Sequence, residues 1–349
     1  MNGRMPAQPC SVEVSSQPPD WQGYLAGQPQ ATIYHSPQWG LVMQRAYGNQ
    51  PLYLTARRAG TVVGILQLVA QKSLVFGSHL CSLPYFDASG VLAEDASATQ
   101  ALLEEARRLL AECRAAWIEL RQLQPADAAL PARTDKLTLQ LALPSSPEGL
   151  WESFKPKVRN QIRKAEKAEL RTAQGGRELL PRFYEVYLRT MRDLGSPPHG
   201  PRFFELTLEA LGPQCRLHAV LLGEQTLAAG LTLADRRAVR VPWAGSDWRQ
   251  RDLNANMLLY WAMLAEACRG GAPCFDFGRS TLDSGTYRFK KQWGADDTPL
   301  AWQFLLPPGK ALPELRPDSP KYRLMVACWK RLPLPLAARL GPRIIAKLS

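Results

Sequence analysis

Patterns that would mark a metal site or a disulfide framework are missing from this sequence. The seven cysteines are an odd number, and no two of them form a Cys-x-x-Cys pair. We therefore expect reduced thiols in a cytoplasmic protein, most of them serving as small core residues. The four histidines show no ligand spacing, so no metal site is expected.

The chain also lacks long apolar segments. It has no run of about 18 apolar residues, so no segment is expected to span a bilayer. Residues 1–20 are rich in proline, glutamine and serine and lack the apolar stretch of a signal peptide. These absences favour the cytoplasm, with the inner face of the cytoplasmic membrane as an alternative position.

Acidic residues are too few to balance the basic ones. The chain carries 43 lysines and arginines against 31 aspartates and glutamates, a formal net charge of +12. Such an excess indicates an anionic partner, such as nucleic acid, an anionic lipid or a phosphate-bearing substrate. It does not constrain the fold.

The length of 349 residues is enough for two domains. Turn residues and hydrophobic periodicity divide the chain into four parts. These are a proline-rich lead-in over residues 1–30 that we expect to be disordered, a first domain over 31–150, a second domain over 151–308 that begins with a basic helix, and a basic amphipathic tail over 309–349.

The two domains show the same order of predicted elements, at an offset of about 160 residues. In each, a turn is followed by two strands, a loop, a helix and a buried strand. The helix at 97–114 precedes the strand at 117–123, and the helix at 254–269 precedes the strand that starts at Cys274. We predict an α/β (α+β) fold made of two duplicated domains around a cleft, a frequent place for ligands. Chance similarity of two α/β halves is the alternative.

Residues 274–295 carry the strongest indication of a functional site. The segment starts as a buried strand, breaks at Gly278, and continues through a polar loop into a cationic, aromatic stretch that begins at Tyr287. An acid, an arginine, a tyrosine and two lysines after a strand indicate a site that binds anions. The Asp-Phe-Gly triplet in this strand also occurs in kinases, but the chain has no His-Arg-Asp loop.

A second cationic segment is predicted to be a helix over residues 151–171. Seven cations and two acids lie between Lys155 and Arg171, and Val158, Ile162 and Ala165 form a narrow apolar stripe. The cations form either a solvated face or a surface for the phosphates of tRNA or a lipid-linked pyrophosphate. In the second case, Arg163 is predicted to be the inward-facing member.

The tail is basic and apolar without any acid from Lys321 onward. Prolines at positions 333, 335 and 342 predict short helices rather than one long helix. Such a segment suits the surface of an anionic membrane. Packing onto the body of the protein is the alternative.

Several segments, taken in order, resemble the FemAB-like transferases, which are related to the peptidoglycan bridge-forming peptidyltransferases. The segments that carry the resemblance are Ser36-Pro37-Gln38-Trp39-Gly40 with Tyr47-Gly48, Leu83-Pro84-Tyr85-Phe86-Asp87 with Gly90, Asn160 to Lys167, Phe275-Asp276-Phe277-Gly278-Arg279, and Tyr287 to Gly294. The tail motifs Leu332-Pro333-Leu334-Pro335 and Gly341-Pro342-Arg343 resemble the subgroup associated with exosortase and exopolysaccharide loci.

This resemblance implies a tandem GNAT-like acyl-CoA N-acyltransferase fold and transfer of an acyl or aminoacyl group to an amine. By the Phe-Lys motif, it implies that Lys290 handles negative charge near the reacting carbonyl or a substrate phosphate. The loop from Asp247 to Asn254 departs from the glycine-rich loop of simple GNAT enzymes because it contains no glycine. Acyl-CoA and aminoacyl-tRNA therefore both remain open as donor co-substrates, and no permanently bound cofactor is expected.

The remaining candidate residues follow from the chemistry of acyl transfer. Asp276 could take a proton or hold the acceptor ammonium, or be a strand acid paired with Arg279. Arg279 can bind a phosphate or carboxylate with two parallel hydrogen bonds. Tyr287 could protonate the leaving group, or be a core aromatic.

Three further residues are assigned to substrate binding. Asn254 would begin a helix whose free N–H groups suit a phosphate, although asparagine at this position is often structural. Tyr85 and Asp87 would line the acceptor side of the cleft, or belong to an ordinary turn.

Taken together, the sequence predicts an N-acyltransferase that acts on an amino group of a cell-envelope or exopolysaccharide precursor. Its expected partners are an anionic or lipid-linked substrate, tRNA if that is the donor, and an anionic membrane surface. The alternative is a non-catalytic module that binds an anionic polymer or lipid during exopolysaccharide assembly.

Overall fold

A computed structural model describes residues 10–73, 77–313 and 320–348. The helices, in chain order, are α1 (Gln22–Gly27), α2 (Gln38–Tyr47), α3 (Ala96–Glu112), α4 (Pro147–Ser153), α5 (Pro156–Lys167), α6 (Leu180–Leu194), α7 (Pro201–Leu211), α8 (Ala255–Arg269), α9 (Gly285–Lys291), α10 (Pro320–Lys330) and α11 (Leu334–Ile345). Short 3-10 helices lie at Ile33–His35, Arg177–Leu179, Gly212–Gln214 and Trp248–Leu253.

The strands fall into two sheets. In chain order they are β1 (Ser11–Ser15), β2 (Pro51–Arg58), β3 (Thr61–Ser73), β4 (Gly77–Cys81), β5 (Leu92–Ala93), β6 (Ile118–Gln122), β7 (Ala132–Arg133), β8 (Leu137–Ala142), β9 (Arg171–Gly175), β10 (Cys215–Leu222), β11 (Gln225–Ala234), β12 (Val239–Ser246), β13 (Cys274–Ser280), β14 (Asp296–Pro299) and β15 (Ala301–Leu305).

The first compact unit comprises residues 1–134, 300–313 and 346–349. Its sheet has the order β1-β2-β3-β4-β6-β15-β7, and β5 pairs with β3. Helix α3 covers this sheet because Leu102, Ala106, Leu109 and Leu110 recur at helical spacing and are all buried. The Asp95 carboxylate begins this helix by accepting a hydrogen bond from the Ala98 N–H at 2.9 Å.

The second compact unit comprises residues 135–299 and 314–345. Its sheet has the order β14-β8-β13-β12-β11-β10-β9. Helix α8 is apolar on most sides and packs against β10, β11 and β12. Helix α6 is amphipathic and buries Phe183, Val186 and Tyr187.

The two sheets correspond strand for strand. From β1 to β7 across the first sheet, the counterparts in the second are β9, β10, β11, β12, β13, β8 and β14, in the same spatial order. Each sheet has one parallel pair of central strands, β4 with β6 and β12 with β13, and a helix connects the two strands of each pair. The predicted duplication of an α/β domain is confirmed by this correspondence.

The sequence predicts two consecutive domains that meet at residue 150. The compact units are instead each assembled from separate stretches of the chain. Strand β8 follows the first repeat but pairs with β13 of the second sheet, and β15 follows the second repeat but pairs with β6 of the first. Each repeat therefore donates its last strand to the other sheet. Since β15 contributes the buried Trp302 and Phe304, residues 300–313 belong to the first unit.

Two further expectations need correction. The lead-in is ordered from residue 10, because β1 pairs along β2 and Trp21 is buried with its indole N–H donating to Thr55 Oγ1 at 2.9 Å. Residues 1–9 lie outside the described part. The basic helix is two helices, α4 and α5, because the Phe154 and Lys155 backbones are extended before Pro156.

Among the described residues, no helix combines the length and apolar character that crossing a bilayer requires.

Candidate functional site

The two parallel central strands of the second unit separate after a short pairing. Strand β12 pairs with β13 at Val239–Phe275 and Arg240–Asp276. Beyond these positions the recorded pairing of β12 is with β11, and that of β13 is with β8. The carboxyl ends of the two strands are therefore not paired with one another, and α8 leads from the carboxyl end of β12 to the amino end of β13. In sheets covered by helices, ligands bind at such strand ends.

A bulge lies where β13 leaves β12. Between Asp276 and Arg279, β13 has one residue more than its partner β8, and Gly278 has a φ of 75°. Glycine suits this backbone, and an added Cβ would lie 3.0 Å from the Val241 carbonyl oxygen. The sequence predicts that the strand breaks at Gly278, whereas the structure continues it to Ser280 through this bulge.

Lys290 binds the carbonyl groups exposed by the bulge. Its ammonium donates to the carbonyl oxygens of Gly278 at 2.7 Å and Arg279 at 2.9 Å, and only 8% of the residue is exposed. Because a buried ammonium needs such partners, this lysine fixes the end of β13. The structure thus places Lys290 at the predicted strand end, with its amine directed at the backbone.

Asp276 is buried among four polar groups. It accepts hydrogen bonds from the hydroxyl of Thr138, the amide of Gln140 at 3.3 Å and the backbone N–H of Gly278 at 2.8 Å. It also forms an ion pair with Arg240, with 3.8 Å between Nε and Oδ2. These contacts hold the bulge in shape, and proton transfer through Asp276 would have to disturb them.

Helices α8 and α9 meet at the same strand end. The Tyr260 ring on α8 is parallel to Phe277 of β13 at 5.6 Å and edge-on to Phe289 of α9 at 5.0 Å. The amide of Gln292, directly after α9, donates to the sulfur of Met257 in the first turn of α8. The first turn of α8 is therefore adjacent to the segment that carries Lys290.

Asn254 precedes α8 in a left-handed conformation, with a φ of 55°. Its side chain makes no capping hydrogen bond to α8, whereas its backbone N–H ends the preceding 3-10 helix by donating to the Arg251 carbonyl at 3.0 Å. The preceding 3-10 helix presents Arg249 and Arg251 as exposed cations. Helix dipole and cations together suit a phosphate at this position.

Arg279 and Tyr287 lie on the outer side of this site. Arg279 is exposed at the end of β13. The Tyr287 hydroxyl donates to the Asp297 carboxylate at 2.8 Å, and this hydrogen bond raises the pKa of the phenol. Tyr287 therefore keeps its proton at neutral pH. The ring packs partly buried against the core of the second unit, which fits the core-aromatic alternative.

Two buried hydroxyl groups were missed by the sequence analysis. The Ser280 Oγ at the end of β13 and the Thr190 Oγ1 of α6 have no hydrogen-bond partner among the described residues. Thr190 lies against Gly245 near the end of β12, where an added Cβ would be 2.1 Å from the hydroxyl. Buried hydroxyls normally have a partner, so these two are candidates for ligand contacts. Single serine and threonine residues carry no distinguishing pattern in a sequence.

The corresponding strand end of the first unit is occupied by its own chain. Strands β4 and β6 also pair at only two positions. There, Ser82 and Ser89 donate their backbone N–H groups to the carbonyls of Glu119 and Arg121, at 2.9 and 2.8 Å, and Arg121 donates to the Phe86 carbonyl at 3.2 Å. This loop fills the space past the parallel pair in the first unit.

Tyr85 and Asp87 belong to this loop. Tyr85 has a φ of 75°, packs edge-on to Tyr47 at 6.0 Å, and has a hydroxyl whose pKa is raised by burial. Such strained backbone often occurs at functional sites. Asp87 is half-buried. Both residues belong to the first unit, whereas Asp276, Tyr287 and Lys290 belong to the second.

Arg163 is exposed on α5, with its guanidinium over the Trp151 ring at 5.3 Å. The apolar stripe of α5, Val158, Ile162 and Ala165, is buried as predicted. Trp151 in turn packs on Trp261 of α8 at 5.1 Å. Through this stacking, Arg163 helps to pack α5 against Trp151. The lysines of α5 are exposed.

A protein-family model matches the part of the chain that contains this strand end. Residues 152–291 match the family model described as an acetyltransferase (GNAT) domain. This range includes β12, the first turn of α8, β13 and Lys290. No curated protein matches the chain.

Solved structures match over most of the chain at low identity. The crystal structure of FemX matches with 16% identity and a TM-score of 0.65, covering 81% of this chain and 94% of its own. L-PGS from Bacillus licheniformis matches with 12% identity and a TM-score of 0.53, covering 95% of this chain and 98% of its own. At this identity the likeness shows the fold, which is a doubled GNAT-like fold.

The domain match and the fold together define an acyltransferase. The GNAT domain implies an acyl-CoA co-substrate. Of the predicted residues, the structure brings Asp276, Arg279, Tyr287, Lys290 and Asn254 to one end of the second sheet and its adjoining helices.

Proposed function

We propose that this chain transfers an acyl or aminoacyl group to an amino group of a cell-envelope or exopolysaccharide precursor, using the strand end of the second unit as its site. The observation that carries the proposal is the match of the GNAT domain to residues 152–291, which coincide with the separated strands β12 and β13, the uncapped start of α8 and the polar residues around them. A lipid-linked acceptor would place the reaction at the inner face of the cytoplasmic membrane.

The reaction sets three requirements for the site. The acceptor amine must be neutral and close to the acyl carbon, and hydrogen-bond donors must stabilise the charge that develops on the carbonyl oxygen. A C–N bond forms, and the bond from the acyl carbon to the donor sulfur or oxygen breaks. The proton lost by the amine passes to the departing sulfur or oxygen.

The residues at the strand end suit these requirements in different ways. Tyr287 keeps its proton, because its hydrogen bond to Asp297 raises its pKa; if it supplies this proton to the leaving group, the proton lost by the amine restores it. Arg279 is exposed and would bind the anionic part of a substrate. We assign Lys290 and Asp276 to holding the bulge that positions Arg279 and Ser280.

The start of α8 suits the phosphate groups of a donor. The Asn254 side chain does not cap the N–H groups of the first turn of α8, and Arg249 and Arg251 are exposed in the segment before it. Coenzyme A and tRNA both carry phosphates, so this feature supports both donors. The similarity to FemX and L-PGS concerns the fold and does not select a donor. The match to an acetyltransferase (GNAT) domain favours acyl-CoA. We therefore propose acyl-CoA first and aminoacyl-tRNA second.

Native mass spectrometry with acyl-CoAs of increasing chain length and with charged tRNA would test the proposal. One donor class is expected to bind the full chain. An Arg279→Gln variant should bind that donor about tenfold more weakly, the usual effect of one lost charge-assisted contact.

An Arg107→Gln variant is the matched control, because Arg107 is an exposed arginine on α3 of the first unit. It should bind the donor like the unmodified chain. The proposal fails if neither donor class binds, or if Arg279→Gln and Arg107→Gln bind alike.

A further inference from the structure

Helix α11 packs one narrow face onto the second unit. Ala337 and Gly341, one turn apart, are its buried residues. A Cβ on Gly341 would lie 2.3 Å from the Pro198 side chain, so the helix backbone rests directly on the segment after α6. The helix also packs on α6 itself. The position of α11 is therefore set by small residues on a single face.

Another face of α11 carries apolar and basic residues in adjacent rows. Leu336, Leu340 and Ile344 are 46%, 39% and 37% exposed and lie at i, i+4 and i+8, on one side of the helix. Arg339 and Arg343 are exposed beside them. We call these five residues the tail face. Exposed apolar groups of this size, repeated at helical spacing, are unusual for a surface that contacts only water.

Helix α10 shows the same division. Gly195, which ends α6, packs against Val326, since an added Cβ there would lie 2.5 Å from the Val326 side chain. Away from this contact, Leu324 and Met325 are 65% and 60% exposed, and Arg323 is exposed as well. Over residues 320–349 the sequence has seven cations and no acid.

We propose that the tail face is a docking surface for a membrane that contains anionic lipids. An interfacial helix inserts an apolar row among the acyl chains while its lysines and arginines contact anionic headgroups. The tail face supplies both groups in adjacent rows. Charge selects this occupant over a second copy of the chain, because two such acid-free faces would repel each other.

The tail packs onto the body through one face of α11, and the tail face lies on another side of the same helix. The small face of Ala337 and Gly341 fixes the helix to the second unit. Docking therefore does not require the tail to leave the body. The inference is independent of the proposed donor and acceptor.

Flotation of the full chain with lipid vesicles would test this surface. Vesicles of phosphatidylcholine alone and of phosphatidylcholine with one quarter phosphatidylglycerol are compared at low and high salt. Binding is expected only with phosphatidylglycerol and should weaken as salt screens the charges. In an Arg339→Gln/Arg343→Gln variant, binding should fall by about tenfold or more.

A second variant, Leu340→Ser/Ile344→Ser, separates membrane insertion from attraction to any polyanion. It keeps every charge and should still lose vesicle binding by about tenfold. If it binds vesicles as well as the unmodified chain, the surface recognises negative charge alone, and the proposal is overturned. Unchanged melting temperatures would show that both variants fold, which is expected since the replaced side chains are exposed.

The matched control is Lys164→Gln/Lys167→Gln, which removes two exposed cations from α5 and changes the net charge by the same amount. It should retain most of the vesicle binding. An equal loss in this variant and in Arg339→Gln/Arg343→Gln would show attraction by net charge rather than docking of the tail face. Equal binding to neutral and anionic vesicles would also contradict the proposal.

Discussion

At the scale of single residues, Lys290 and Lys291 show how neighbouring lysines acquire different functions. Lys290 is buried and donates to two carbonyl oxygens, whereas the Lys291 side chain is 38% exposed and pairs with Asp297 at 3.3 Å. Helix phase decides the difference, because successive residues point about 100° apart on a helix. The sequence shows two cations after a strand. It cannot show which one faces the bulge.

Lys290→Met is therefore expected to destabilise the second unit by about 2–3 kcal/mol, because two partly buried carbonyls lose a charged donor. Lys291→Met should cost less than about 1 kcal/mol, as expected for an exposed ion pair. Urea denaturation followed by tryptophan fluorescence would measure both. Equal effects in the two variants would show that the Lys290 contacts contribute little to stability.

His199 is a residue whose charge state couples stability to pH. Burial lowers the pKa of its imidazole to about 3, where it packs parallel to Phe203 at 4.3 Å and edge-on to Trp243 at 5.3 Å. The unfolded chain binds a proton near pH 6.5 and the folded chain does not. The stability that this difference provides is complete above about pH 6.5 and is lost as the pH falls toward 3.

A His199→Phe variant should show a smaller loss of stability on acidification. Between about pH 4 and 6, the slope of the unfolding free energy against pH should fall by up to about 1.4 kcal/mol per pH unit. Denaturant titrations at several pH values would measure it. The other buried histidines stay in place, so the remaining slope is an internal control. An unchanged slope would mean that His199 is already protonated in the folded chain.

At the scale of elements, the exchanged strands are the feature that sequence reasoning could not reach. Alternating apolar residues predict a strand over Lys136–Ala142, and β8 covers Leu137–Ala142, but its partner β13 lies more than 100 residues away. Pairing is determined by burial of Leu139 and its neighbours in the assembled sheet. Likewise, Gly278 predicts unusual backbone geometry. Glycine is common both at the end of a strand and in a β-bulge, so the sequence does not distinguish the two.

Truncation would show how much the first unit depends on β15. A chain ending at Pro299 lacks this strand and with it the buried Trp302 and Phe304, so β6 loses its antiparallel neighbour. Residues 10–134 should then become sensitive to protease. A chain ending at Pro313 keeps β15 and is the control, with a resistant first unit. Equal resistance in both truncations would contradict the role of the exchanged strand.

At the scale of the whole molecule, the duplication has produced two similar sheets with different strand ends. In the second unit, β12 and β13 separate, and the hydroxyls of Ser280 and Thr190 have no hydrogen-bond partner among the described residues. In the first unit, the loop from Ser82 to Ser89 is hydrogen-bonded along β6. Gly90 is so close to this strand that a Cβ would lie 2.4 Å from the Gln122 side chain. The first unit thus keeps the fold without the opening.

One donor molecule per chain is the expected stoichiometry, although the fold is doubled. The second unit offers an uncapped helix start and exposed arginines, whereas a donor in the first unit would have to displace a loop that buries Phe86 and bonds Arg121. Calorimetric titration with the donor identified by mass spectrometry would give the number of sites. Arg279→Gln should weaken the single binding event. Two equivalent binding events per chain would show that the loop opens and that both repeats bind a donor.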